Sequence, residues 1–271
     1  MGTSRGYKMP KGGSWTPLKN DATDFVQGTG TKVITTASLV TDFIRASGGL
    51  KGLMRGHGGS APLVGGGSVA QGSAKRDRGG GSAGGGAARS AAVGTARNLG
   101  GFLSSVSAVG LENALRESGL DGIVGKSASE VADALLNEFA GPASTLDNAL
   151  ARESLAEIRD EILKDAETFE DVEKQLNAAI DEFGIFGIIA SFFGHYIFKM
   201  FCRNFYEDWV KKVGDSKAAK ILNQIKEYIT SSMRAKLASR KFETADWKKS
   251  EDHQMAENVL KETLEIFGVI G

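Results

Sequence analysis

The chain has 271 residues, with 36 Gly, a single Cys, 41% hydrophobic residues and 33 Lys and Arg against 33 Asp and Glu, which excludes a collagen-like, disulfide-stapled or wholly disordered protein. The neutral total hides a split: residues 1–100 hold 24 Gly and 13 Lys and Arg against 4 Asp and Glu, net +9, whereas residues 101–271 carry 20 against 29, net −9. The split predicts one folded domain behind a basic, glycine-rich arm.

In chain order, residues 1–35 mix Gly, Lys, Ser, Thr and Pro with few apolar positions, and are expected to form a flexible N-terminal tail. No basic start followed by an apolar core and a small-residue cleavage site appears there, so the chain is expected to stay in the cytoplasm. Leu39, Val40, Phe43 and Ile44 recur at helical spacing before Gly48-Gly49 and predict a short helix over 36–47. Residues 48–86, rich in Gly, Ser and Arg with three Gly triplets, are expected to be a linker.

An α-helical domain is expected over 87–271, giving an all-α fold: a helical bundle preceded by a glycine-rich, basic, largely disordered N-terminal arm. Ala92, Ala96, Leu99, Leu103 and Val106 form one apolar stripe. Ser127-x-x-Glu130 is a capping box ahead of Val131, Leu135, Leu136 and Phe139, and Ser144-x-x-Asp147 opens the next segment in the same way. Phe169, Val172, Leu176, Ile180 and Phe183 make the cleanest amphipathic stripe. The helix expected over 185–211 is apolar on most faces, which places it at the bundle centre; its apolar run is short of the roughly 20 residues that span a bilayer. Ile221, Leu222, Ile225, Ile229, Met233 and Leu237 supply another face, and Met255, Val259, Leu260, Leu264 and Phe267 the last.

Few chemical motifs stand out. Gly119-x5-Gly125-Lys126-Ser127 is off by one from a phosphate-binding loop, since Leu120 stands where the first glycine is needed and no strand precedes it. His57, His195 and His253 have no metal-ligand spacing around them, so no metal site and no catalytic residue are assigned. His195 reads as a core histidine with one satisfied nitrogen, and Cys202 as a buried thiol. Glu157, Asp160, Glu161 and Asp165 read as a solvated face, or more sharply as a docking surface for a basic partner.

Lys75, Arg76 and Arg78 are candidate nucleic-acid contacts, because Arg78-Gly79-Gly80 is similar to a fragment of an RNA-binding repeat. No Phe, Tyr or Trp lies between Phe43 and Phe102, so base stacking is missing and such a contact would be weak and salt-sensitive. Met1-Gly2 predicts removal of the methionine, and Gly6 stands where a myristoylation signal needs Ser or Thr. What remains is an unhindered Gly2 α-amine.

Met1-Gly2-Thr3-Ser4, the short helix ending in Gly48-Gly49, the Gly/Arg linker, Asn98-Leu-Gly-Gly-Phe-Leu103, Val109-Gly-Leu-Glu-Asn-Ala-Leu115 and Ser144-Thr-Leu-Asp-Asn-Ala-Leu-Ala-Arg152 together resemble the QatB family of the bacterial Qat anti-phage defence system. The resemblance implies an operon that also encodes an ATPase, a TatD-like nuclease and a QatC-like enzyme similar to the synthase that turns a carboxy-deazaguanine into its nitrile. It implies that this chain is a non-catalytic protein substrate, carrying a 7-deazaguanine on the Gly2 nitrogen, and an adaptor to other Qat components. Thr3, Ser4 and Arg5 would then line the enzyme's entry channel, and ATP, the deazaguanine and any zinc would belong to the partner enzyme, with no cofactor in this chain. Two other readings stay open: a nucleic-acid-binding module using the basic arm, and a membrane-active effector using the helix around 185–205.

Overall fold

The computed structural model describes residues 10–55, 90–237 and 252–269. Ten α-helices occur among them: α1 (Trp15–Gln27), α2 (Thr36–Ala46), α3 (Gly49–Arg55), α4 (Ala91–Val109), α5 (Leu111–Glu117), α6 (Ala128–Ala140), α7 (Leu146–Ile162), α8 (Phe169–Val213), α9 (Asp215–Leu237) and α10 (Asp252–Ile266). No strand is present among the described residues, and the fold is all-α as the periodicity predicts.

The centre is α8, against which α1, α4, α6, α7, α9 and α10 pack. Its second limb, beyond Gly184, is apolar on most faces: Ile189, Phe192, Phe193, Ile197, Phe201, Phe205 and Trp209 are all buried. Phe201, Phe205 and Trp209 stack on one another with ring centroids 4.7–5.7 Å apart. The helix is long and apolar enough to cross a membrane, but 67% of its most apolar window is buried among the other helices.

At Gly184 the backbone leaves helical geometry, with φ 65° and ψ 162°, and bends the helix. This is the left-handed half of conformational space, open to glycine at little cost. The first limb, 169–183, is amphipathic, with Val172 and Leu176 buried while Phe183 at its end is 48% exposed.

Two expectations about the arm are corrected. The expected tail 1–35 contains α1, whose Trp15, Leu18, Ala22 and Val26 lie on one helical face and are buried in the same core as α8. Four well-spaced apolar residues offset the ordering entropy even though the segment is polar on average. Trp15 meets Phe43 edge-on at 6.0 Å and Phe25 lies 6.5 Å from Trp209. The expected linker 48–86 begins with α3, which buries Leu53 and needs its glycine: a Cβ on Gly52 would sit 2.0 Å from the Ser47 carbonyl oxygen. The short helix over 36–47 is present as α2, with Thr35 and Ser38 forming a capping box.

The Ser127–Glu130 box caps α6 reciprocally. The next cap is shifted by one: Thr145, not Ser144, accepts from the Asn148 backbone at the start of α7. Asp147 is thereby left for a different task.

Candidate functional site

The sequence-predicted modification site Gly2 and its neighbours Thr3, Ser4 and Arg5 lie outside the described residues, as do Lys75, Arg76 and Arg78. The structure defines where the stretches that carry them attach. Chain N-terminal to α1 is held at Pro10, whose carbonyl accepts from Lys19 Nζ at 2.7 Å, while Trp15 locks the start of α1 into the core. The described ends on either side of residues 56–89 meet, the Ser90 N–H donating to the Met54 carbonyl at 2.8 Å. The glycine-rich segment therefore does not separate two bodies: α3 before it and α4 after it belong to one core.

The start of α4 is fixed by a polar cluster between α4, α7 and α8. The Ala91 N–H, one of the unpaired donors at the start of α4, donates to Asp147 Oδ2 at 2.6 Å, and Tyr196 Oη donates to Asp147 Oδ1. Burial, then the charge and hydrogen bond of Asp147, push the Tyr196 hydroxyl well above its ordinary pKa, so it stays a donor. A negative charge at the N-terminus of α4 also complements the helix dipole.

The acidic residues of α7 are tied into the bundle. Glu157 bridges two lysines, Lys199 on α8 and Lys226 on α9, each at 2.7 Å. Burial works to raise its carboxyl, but the hydrogen bonds and charges of the two lysines outweigh it and hold the pKa at about 2. Glu161 Oε1 lies 3.1 Å from His195 Nε2, and His195, 1% exposed, has no partner for Nδ1. That is the core histidine with one satisfied nitrogen expected from its apolar surroundings. Asp160 pairs with Arg159 beside it. A solvated face describes this cluster poorly, since Glu157 and Glu161 reach α8 and α9. Burial pushes the Cys202 thiol up to about 12, which makes it a poor nucleophile at neutral pH. Among the described residues no group of His, Cys, Asp and Glu could hold a metal ion. The near phosphate loop follows α5 and passes through a 3-10 turn at Asp121–Ile123, and Ser127 is used as the α6 cap.

A concave surface among the described residues is large enough to receive a ligand. It lies between the end of α7 and the bend of α8, with a volume of about 710 Å³, floored by Ile158, Ile162, Ala179 and Ile188 and bordered by Glu161, Lys164, Glu182 and Phe183. Sequence reasoning missed it, although Gly184, sitting between an amphipathic stripe and an all-round apolar run, marked the bend that opens it.

Comparison with curated proteins and with solved structures returns no match. Comparison with protein families returns one, the Qat anti-phage system associated protein QatB, over residues 80–267. The matched stretch is more than half of the chain and contains α4–α10 whole, while α1–α3 precede it. On the strength of that match, the chain belongs to the QatB family and is a component of an anti-phage defence system.

Proposed function

We propose that this QatB-family chain is the protein substrate of a QatC-like enzyme, which joins a 7-deazaguanine to the Gly2 α-amine, and that the folded bundle serves as an adaptor to other Qat components. The supporting observation is the anchor at Pro10. Lys19 and Trp15 fix the chain from residue 10 onward, and eight residues of sequence separate the Gly2 α-amine from that anchor. Full extension bounds its reach at about 28 Å from Pro10.

The chemistry needs no internal base in this chain. An α-amine has an ordinary pKa of about 8, so a useful fraction is neutral near pH 7. In the partner enzyme, ATP would convert the carboxyl of the deazaguanine to an acyl adenylate. The Gly2 nitrogen attacks its carbonyl carbon, the C–O bond to AMP breaks, the amine proton passes to solvent or to an enzyme base, and an amide remains. Gly2 has no side chain to crowd a pocket shaped for a small molecule. Thr3, Ser4 and Arg5 would hydrogen-bond along the entry channel and set specificity. This chain is the acceptor in the reaction and its catalyst is the partner, in the bacterial cytoplasm.

The test is the mass of the N-terminal tryptic peptide from protein co-produced with its neighbouring genes. Loss of Met1 and gain of one deazaguanine acyl group on Gly2 is the expected result. Gly2→Glu retains Met1 and crowds the pocket, so it should abolish both the modification and defence, with the helical fold intact. An unmodified wild-type N-terminus from an intact operon, or full phage resistance in Gly2→Glu, would sink the acceptor role.

A further inference from the structure

The groove at the α8 bend carries an inference that deepens the adaptor half of the proposed function, and rests on it. Its shape follows from three local choices. Gly184 turns the first limb of α8 away from the axis of the second, small residues at Ala178, Ala179 and Gly187 leave the floor unfilled, and α7 ends at Ile162 before it can cover the gap. Phe183 stands at the lip, 48% exposed, one of the few large apolar side chains the described surface shows to water. An exposed aromatic beside an unfilled apolar floor is the arrangement that accepts the apolar side chains of a helical or extended segment.

Charge narrows the occupant. Glu182, together with Glu161 whose Oε1 is engaged by His195, borders the groove against Lys164 alone, and residues 101–271 carry a net −9. Phosphate groups of a nucleic acid and the headgroups of an anionic vesicle would approach a surface of their own sign. A second copy docking face to face would set the same net-negative rim against itself. A cationic polypeptide meets neither obstacle, and its apolar residues would bury the floor while its Lys or Arg side chains meet the rim carboxylates.

We propose that the groove between α7 and the bend of α8 is the docking site for an amphipathic, lysine- or arginine-bearing segment of another protein of the Qat system. An apolar side chain of that segment sits on Ile158, Ile162 and Ile188 beside Phe183, and a cation pairs with Glu182. Apolar burial supplies the affinity and the rim carboxylates supply register and steering, so binding should weaken with added salt without vanishing.

The experiment uses the full chain, tagged and co-produced with each other protein of its operon in turn. Phe183→Asp and Glu182→Lys alter exposed side chains and should leave the helical circular dichroism and melting temperature unchanged. Each should cut retention of one Qat protein at least tenfold, and Glu182→Gln should fall between wild type and Glu182→Lys. Carbodiimide cross-linking of the wild-type complex should join Glu182 or Glu161 to a lysine of that protein. Retention unchanged in both variants, or no Qat protein retained, would overturn the proposal. Cross-links from Glu182 to lysines in the chain's own first 100 residues would overturn it in favour of the basic arm, and a Phe183-dependent doubling of mass in solution in favour of a second copy. The mass of Gly2 in the same samples separates the two readings. A modified Gly2 with retention indifferent to Phe183 and Glu182 removes the docking site and leaves conjugation standing, and an unmodified Gly2 with retention lost in the variants does the reverse.

Discussion

The helices before residues 56–89 and those after them are joined to α8 by different forces. α1 and α2 contribute apolar side chains, Trp15, Leu18, Val26, Leu39 and Phe43 among them, and their polar ties, one to α8 and two to the turn after α10, use neutral acceptors: Lys212 Nζ donates to Thr23 Oγ1, Thr41 Oγ1 to the Phe267 carbonyl and Arg45 to the Gly268 carbonyl. α7 and α9 instead meet α8 through a partly buried ionic bridge, Lys199–Glu157–Lys226, laid over their apolar contacts. The difference teaches that average composition is a poor guide to which segments fold. The basic, glycine-rich region holds on with a few well-spaced apolar anchors, while the acidic region spends part of its charge on holding helices together.

The largest expected effects fall on the apolar anchors and compare the two regions directly. Phe193, fully buried in the second limb of α8, becomes a desolvated charge in Phe193→Asp. The cost of several kcal/mol for the charge, added to the lost packing, approaches the whole stability of a domain, and no soluble folded protein is expected. Soluble yield and circular dichroism measure this, and a folded Phe193→Asp would mean that the segment is not core.

Trp15→Ala is the matching change in α1 and decides whether that helix belongs to the same cooperative unit. Loss of the indole and of its edge contact with Phe43 should cost about 3 kcal/mol, lowering the melting temperature by roughly 6–12 °C for a chain of this size. A melting temperature unmoved by Trp15→Ala would return residues 10–27 to the status of a tail.

How much of this was legible depended on whether the signal was local. α2, the α6 capping box and the burial of the second limb of α8 follow from neighbours three and four residues apart, and all are found. α1 carries the same spacing, Trp15-x2-Leu18-x3-Ala22-x3-Val26, but it is diluted by Lys, Asn, Asp and Thr in a glycine-rich context, so composition outweighed period. At the start of α7, Ser144 and Thr145 are both able to cap, and the choice of Thr145 frees Asp147 for the Ala91 N–H and the Tyr196 hydroxyl, 56 and 49 residues away. The lysines of Glu157 come from 42 and 69 residues further on, and no pattern within α7 announces them. The groove depends on the angle between the limbs of α8 and on where α7 stops. Gly184 marked a break in the sequence, but the space it opens exists only once three helix segments are placed.

The ionic bridge supplies the smallest of these effects and the one that most sharply separates the two regions, because it depends on pH and the apolar anchors do not. The Glu157 carboxyl sits at about 2 in the folded protein, below its ordinary value of 4.5, so the folded state favours the carboxylate. Its contribution is therefore complete above about pH 4.5 and disappears as pH falls from there through 2. Glu157 is 30% exposed and its lysines 24% and 33%, so solvent screens the pair and the contribution at neutral pH should be about 1 kcal/mol, less than the full shift converted to energy. Glu157→Gln should lose that amount at pH 7 and lose nothing further between pH 4.5 and 2 from this site, so the gap between variant and wild type closes as acid is added. Denaturant titrations at pH 7, 4 and 2.5 read the gap, with Trp15→Ala as the control whose deficit stays constant across the same range. A Glu157→Gln deficit that does not shrink with acid would show that the loss comes from packing of the side chain, and that the bridge adds no ionic stabilisation between α7, α8 and α9.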